Sequence, residues 1–237
     1  SFGILLLISS SYYGQEMKET QLNSLKNNKY SAICGPVGTV LCSSASYQLL
    51  GANMGTNSAT VFPAPFGNYY KTIKEQYLFK ASEIIAAGFT GGEITEIAWE
   101  TIAQNGATNS FNEYQIRIGC TNQNYINSWQ YGLSTVFIGQ NITIALGLNN
   151  FSLNNAYQWD GTSNLIVEIC YDNIVTGTYS SNWSTPFEIT NFNSAISYRN
   201  DLIPACSYLD TNYIVTKRRP VIRIKTCQSL SSLENDR

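Results

Sequence analysis

The chain has 237 residues, of which 43% are hydrophobic, 13% aromatic and 13% charged, with a formal net charge of −2. That composition can fill a core, which excludes a wholly disordered chain, and its near-neutral balance argues against a nucleic-acid binder. The sequence contains no histidine, so Ser-His-Asp triads, Cys-His dyads and His-ligated zinc are all excluded.

Residues 1–13 read SFGILLLISSSYY, an apolar run too short for a membrane-spanning helix of about 20 residues. Two readings stay open. The run has the character of a secretory signal core. Alternatively it is a packing segment, with Phe2, Ile4, Leu5, Leu6, Leu7 and Ile8 docking on an open sheet edge of another subunit. Residues 16–30 (EMKETQLNSLKNNKY) carry the dense charge of the first half and read as a short helix or solvated linker. From residue 43 to 68 the chain is small and polar, and its two prolines in FPAPFG predict a loop or a sheet edge.

Short apolar runs follow, each bounded by Gly or Asn. Residues 75–81 form one, with a turn predicted at 87–92. In 93–102 the strand pattern turns Ile94, Ala98 and Trp99 inward. YQIRIGC at 114–120 places Tyr114, Ile116 and Ile118 on one face and Gln115 and Arg117 on the other, a strand with one wet side. Further strands are expected in 133–148, 165–171 (central, being nearly all apolar), 195–198, 213–215 and 221–227. About eight or nine short strands without a helical period predict an all-β chain, an antiparallel sandwich of jelly-roll-like topology with an N-terminal apolar extension. The division expected is 1–15 signal-like or packing segment, 16–42 linker with a small Cys loop, 43–230 single sandwich domain, and 231–237 polar tail.

The six cysteines, Cys34, Cys42, Cys120, Cys170, Cys206 and Cys227, contain no C-x-x-C pair and lie among Asn, Ser, Thr and Tyr. They read as disulfide partners in an oxidising, extracellular setting. Spacing alone allows about 15 connectivities. Cys34–Cys42 is expected as a small loop, Cys120–Cys170 as a link between strand ends, and Cys206–Cys227 by elimination.

Other features have the residue types of a site. Asp160, Asp172, Asp201 and Asp210 are scattered and read as turn formers rather than calcium ligands. Glu75, Glu83, Glu96, Glu100 and Glu168 could supply a glycosidase pair, but nothing in the sequence selects two of them. Lys217, Arg218 and Arg219, with Arg223 and Lys225 beyond, form the one basic cluster, which reads as the solvated start of a strand. Tyr69, Tyr70, Trp129, Tyr131 and Trp183 lie in turn-rich stretches and could stack on sugar faces. Sequons occur at Asn141, Asn150 and Asn182. No metal or cofactor is expected.

The runs FPAPFGNYY at 62–70, EQYLFKASEIIAAGFTGGEI at 75–94, IGCTN at 118–122, YGLSTVF at 131–137, YQWDGTSNLIVEICYDN at 157–173 and RRPVIRI at 218–224 carry a resemblance. Together they resemble a β-sandwich module of Bacteroidota secreted and cell-surface proteins, gliding-adhesin-like and associated with type IX secretion. The likeness spans roughly residues 60–227, and WDGTSNLIVE is its most specific part. It implies an extracellular location and no catalytic residues. The expected function is a structural or adhesive module, not an enzyme, that self-associates into a surface filament or appendage. The alternative is a monomeric module that binds carbohydrate or a surface. Expected partners are further copies of the chain, another surface protein or a glycan, with neither nucleic acid nor a membrane span.

Overall fold

The computed structural model describes residues 34–38, 42, 44–174, 181–209 and 211–228, all within one unit, Ala32–Leu230. The expectations for residues 1–33, including the packing residues Phe2, Ile4, Leu5, Leu6, Leu7 and Ile8, fall outside the described residues, as do Asp210 and the 231–237 tail.

In chain order the strands are β1 (Gly35–Val37), β2 (Ser44–Leu50), β3 (Gly55–Thr56) and β4 (Thr72–Phe79). A short helix, Ala81–Ala86, leads to β5 (Gly92–Thr101), β6 (Ser110–Thr121), β7 (Ser134–Thr143), β8 (Gly147–Trp159) and β9 (Asn164–Asp172). The series ends with β10 (Pro186–Ile189), β11 (Ala195–Asn200), β12 (Ile214–Thr216), β13 (Arg218–Pro220) and β14 (Ile222–Gln228). A five-stranded sheet has the order β1-β8-β5-β14-β2 and a six-stranded sheet β12-β11-β4-β9-β6-β7, while β13-β10-β3 form a small third sheet. Every pairing in them is antiparallel.

Two quartets inside those sheets define the topology. β2-β14-β5-β8 and β4-β9-β6-β7 are contiguous in their sheets. Taking these eight strands in chain order, the first, eighth, third and sixth make one layer, and the second, seventh, fourth and fifth make the other. That interleaving is the double Greek key of a jelly roll. The fold is therefore an all-β antiparallel sandwich of jelly-roll topology.

Period-two alternation builds the core between the layers. On β4, Ile73, Tyr77 and Phe79 face inward; on β9, Leu165, Val167, Ile169 and Tyr171; on β6, Tyr114, Ile116 and Ile118. The opposite layer answers with Ile94, Ile97 and Trp99 of β5, Phe151, Tyr157 and Trp159 of β8, and Ile222 and Ile224 of β14. Central β9 runs apolar on both sides because both its faces are covered.

The outer face of the six-stranded sheet lies under a second layer. Trp129, Ile126 and Ala205 pack there on Leu78, Ile166, Ile196 and Tyr198. Beneath this cover sits a polar network centred on Glu168. Arg117 donates to Glu168 at 2.8 Å, Gln76 donates to it at 2.7 Å, and Lys74 lies 3.7 Å away. Lys74 also donates to the Tyr208 carbonyl and sits under the Trp129 ring. Burial holds the Lys74 ammonium below its ordinary range, against the pull of Glu168. The side of β6 expected to be wet is thus half-covered: Arg117 spends its guanidinium on Glu168, Gln115 and the Cys206 carbonyl.

The disulfides differ from the expected pairing. They join Cys34 to Cys120, Cys42 to Cys227 and Cys170 to Cys206, with Cα separations of 6.0, 5.3 and 5.2 Å. Small-loop reasoning fails at Cys34 because β1 is not linker: Gly35–Val37 pairs with β8 and carries Cys34 across to β6 in the facing sheet. Cys42 precedes edge strand β2, whose antiparallel neighbour β14 brings Cys227 alongside. Cys170 points to the outer face of β9 and pins the covering loop at Cys206.

Candidate functional site

Two of the five aromatics nominated as ligand-facing are core. Trp129 and Trp183 are each 2% exposed. Trp129 belongs to the covering layer described above, edge-on to Tyr213. Trp183 packs in the main core and donates its indole N–H to the Thr108 carbonyl at 2.8 Å. Their turn-rich sequence surroundings concealed this, because the turns themselves fold over the sheet edges. Tyr131 is 67% exposed and makes no ring contact among the described residues.

Tyr69 and Tyr70 do come together, with two residues that the sequence did not nominate. Their rings meet edge to face at 5.4 Å, and Phe62 meets Tyr70 at 6.1 Å. The Arg199 guanidinium lies 4.7 Å from the Phe62 ring centre and 5.2 Å from that of Tyr70. Tyr69 is 43% exposed. No carboxylate or carbonyl among the described residues bonds the Arg199 guanidinium, so its N–H fork remains unspent.

The platform rests on a heavily tethered loop. Asn182 accepts the Tyr69 N–H at 3.0 Å and donates to the Val61 carbonyl at 3.1 Å. Asp201 accepts the Lys71 N–H, and the Tyr171 hydroxyl donates to the Gly67 carbonyl at 2.5 Å. Below, Glu75 accepts the Ala64 N–H on both oxygens at 3.1 Å and the hydroxyl of Tyr77. Burial raises the Glu75 carboxyl to about 7, against the Tyr77 hydroxyl, the Ala64 amide and the charge of Arg199. Arg199 itself is fixed on β11 by pairing with Ile73 of β4.

The remaining candidates resolve into structure. Arg219 of the basic cluster is 1% exposed rather than solvated. It bonds Glu188 at 2.6 Å, Glu83 at 2.9 Å and the Leu78 carbonyl, with Phe79 under its plane. Among the nominated carboxylates, Glu75 faces the core while Glu168 faces the outer layer from the neighbouring strand, so the two do not share a cleft. Glu83 is bound to Arg219, and Glu96 and Glu100 lie on β5.

Asp160 accepts the Thr162 N–H at 2.9 Å, the Ser163 N–H at 2.8 Å and the Ser163 hydroxyl at 2.6 Å. Burial pushes its carboxyl up, but these bonds outweigh that and hold it below the usual range. Trp159 donates to the Ser163 carbonyl, and Asn164 accepts the Ala81 N–H at the start of the helix. Gly161 has φ +76 and lies against Thr90 and Gly91, where a Cβ would collide with the Thr90 carbonyl. The WDGTSN run is therefore a turn that ties three segments together. Cys34, Cys120 and Asp160 offer atoms within 4.8 Å of one another, but the two sulfurs are already bonded as a disulfide and have no thiolate to give a metal.

No protein-family model matches the chain, and no curated protein matches it. Two solved structures are similar in outline. One is the clostridial cysteine protease Cwp84 after propeptide cleavage, at 11% identity and a TM-score of 0.42, covering 81% of this chain and 42% of that one. The other comprises the cysteine protease and lectin-like domains of Cwp84, a surface-layer-associated protein of Clostridium difficile. It matches at 10% identity and a TM-score of 0.42, over 81% of this chain and 37% of that one. This chain thus spans less than half the length of either, and neither likeness bears on what it binds. Among the described residues no helix is long and apolar enough to cross a membrane.

Proposed function

We propose that this chain is an extracellular, non-catalytic adhesive module that holds an anionic glycan on the platform of Phe62, Tyr69, Tyr70 and Arg199. The observation that carries the reading is the Arg199 guanidinium, which lies 4.7 and 5.2 Å from two ring centres and has no hydrogen-bond partner for its N–H fork among the described residues, with the exposed Tyr69 next along the chain from one of those rings. A planar fork suits a uronate carboxylate or a sulfate, and an exposed tyrosine ring suits the apolar face of a sugar. Three disulfides support an oxidising compartment. The resemblance of the sequence to surface modules of Bacteroidota fits the same reading, as a proposal alone.

Calorimetric titration of polygalacturonate against a neutral glucan tests it. Binding of the acidic polymer should fall at least about tenfold in Arg199→Gln and in Tyr69→Ala, with unfolding midpoints near that of the wild type. Equal binding of the neutral glucan, or unchanged binding in Arg199→Gln, overturns it. No shortened oligosaccharide should form on prolonged incubation.

Self-association is a second reading, favoured by β2. Ser44–Leu50 has β14 on one side and no strand on the other among the described residues, and such an edge accepts a strand from another copy. Deleting residues 1–13 should then abolish fibres in negative-stain images while leaving a folded monomer. Fibres that survive the deletion remove that segment as the donor.

A further inference from the structure

The first and last strands of the eight-stranded jelly roll lie side by side, while β1, which precedes them, sits at the far edge of the same sheet. β2 is the first strand of the eight-stranded jelly roll and β14 the last, and they are antiparallel neighbours, with Ser44 opposite Gln228 and Ala45 opposite Cys227. Tension applied through the flanking residues would pull the start of β2 away from the end of β14. In an antiparallel ladder the hydrogen bonds run perpendicular to the strands. Force entering at adjacent ends therefore loads one rung at a time and peels the pair apart. Without further support this is the weakest way to load a sheet, and every later strand would follow.

A disulfide closes that fork. Cys42, just before β2, is bonded to Cys227 in β14, across a Cα separation of 5.3 Å and a sequence separation of 185. Just upstream, Cys34 is bonded to Cys120 on β6 of the facing layer. The shortest covalent route from Cys34 to Cys227 runs through the short stretch to Cys42 and then across the sulfur bridge. It takes in β1, on the far edge of the five-stranded sheet, and of the eight jelly-roll strands it touches only the end of β14.

We propose that the chain is a tension-bearing link, in which Cys42–Cys227 carries the load past the sandwich and leaves the fold unstretched under pull. The proposal rests on connectivity and strand order, and it stands whether or not Arg199 binds a glycan. It gives the module a mechanical role: an in-line link whose sandwich keeps its shape while the chain is pulled from both sides.

Single-molecule stretching of the full chain, with handles at its two ends, tests this through differences in released length, to which the residues outside Cys34 and Cys227 contribute equally. At ~3.5 Å per residue, the oxidised protein should release at most about 3 nm between Cys34 and Cys227. The same folded molecules, reduced in place, should release about 65 nm. Cys42→Ser/Cys227→Ser should release about 25 nm, because the route then crosses Cys34–Cys120 and Cys170–Cys206 and includes the segments between them. Cys34→Ser/Cys120→Ser should stay as short as the wild type. Release of 20 nm or more by the oxidised wild type overturns the proposal at ~3.5 Å per residue. So does Cys42→Ser/Cys227→Ser behaving like the wild type, or reduction in place leaving the released length unchanged. Reduction in place needs no refolding, so the test survives if a variant fails to fold.

Discussion

The two sheets use polar strand residues in opposite ways. On the five-stranded sheet, Arg223 and Lys225 of β14 lie opposite Leu49 and Tyr47 of β2, and Tyr47 is 56% exposed. Lys225 sits near the Tyr47 ring, and Ser152 reaches towards Glu96 at 3.5 Å. On the six-stranded sheet, Lys74, Gln76 and Glu168 occupy equivalent outward positions but are buried under Trp129 and beside Tyr198 of β11, on which Tyr208 stacks. Outward on a strand is thus not the same as wet. A charge at such a position is nearly free of consequence when solvated, and costly to leave unpaired once a loop folds over it.

The sharpest way to break that contrast is to remove the central acid. Glu168→Ala should lose about 3–5 kcal/mol in urea unfolding, because Lys74 and Arg117 are left without their carboxylate. Its counterpart Glu96→Ala on the other sheet should stay within about 0.5 kcal/mol; equal losses would refute the distinction. Trp129→Ala strips the cover itself, and a loss of about 3–4 kcal/mol is expected for so large a buried ring.

Glu75, on the inner face of the strand that carries Lys74, gives a pH signature. Its folded value of about 7 lies above its ordinary 4.5, so folding favours the protonated form. The contribution is complete below about pH 4.5 and is lost as pH rises through about 7, on the order of 3 kcal/mol in all. Unfolding free energy measured from pH 4.5 to 8 should therefore fall less steeply in Glu75→Gln than in the wild type. A parallel pair of curves would remove Glu75 as the cause. Asp160→Ala, which undoes a local turn, should cost about 1–2 kcal/mol. Tyr47→Ser on the open face should change stability by less than about 0.5 kcal/mol, and a larger loss would show that face to be covered in solution.

Much of the sandwich was legible in residue alternation. Tyr114, Ile116 and Ile118 announced β6, and the apolar run of β9 announced a strand with neighbours on both sides. β8 was harder. Its Asn-rich run looks like turn, yet Phe151 and Leu153 keep the inward period while Asn150, Ser152 and Asn154 point out. Loop coverage left no local mark. Nothing near Trp129 says that its own loop will lay it over Lys74, and nothing near Arg219 says that Glu83 and Glu188 will converge on it. Arg199 was missed because the rings that flank it come from a loop more than a hundred residues earlier, brought close by the β11–β4 pairing. Disulfide partners were hidden for the same reason: each bridge follows from which strands become neighbours across the sheets, and spacing along the chain does not record that.

Joining Cys42 to Cys227 also makes everything between them a closed ring. A protease that cuts one loop inside the ring converts it to a single open strand still joined at the bridge, so no piece is shed. The nicked protein would run as one band on a non-reducing gel and as two after reduction. In surroundings rich in secreted proteases, loss of material would then require a second cut, and the interval between the two cuts sets the lifetime of the molecule.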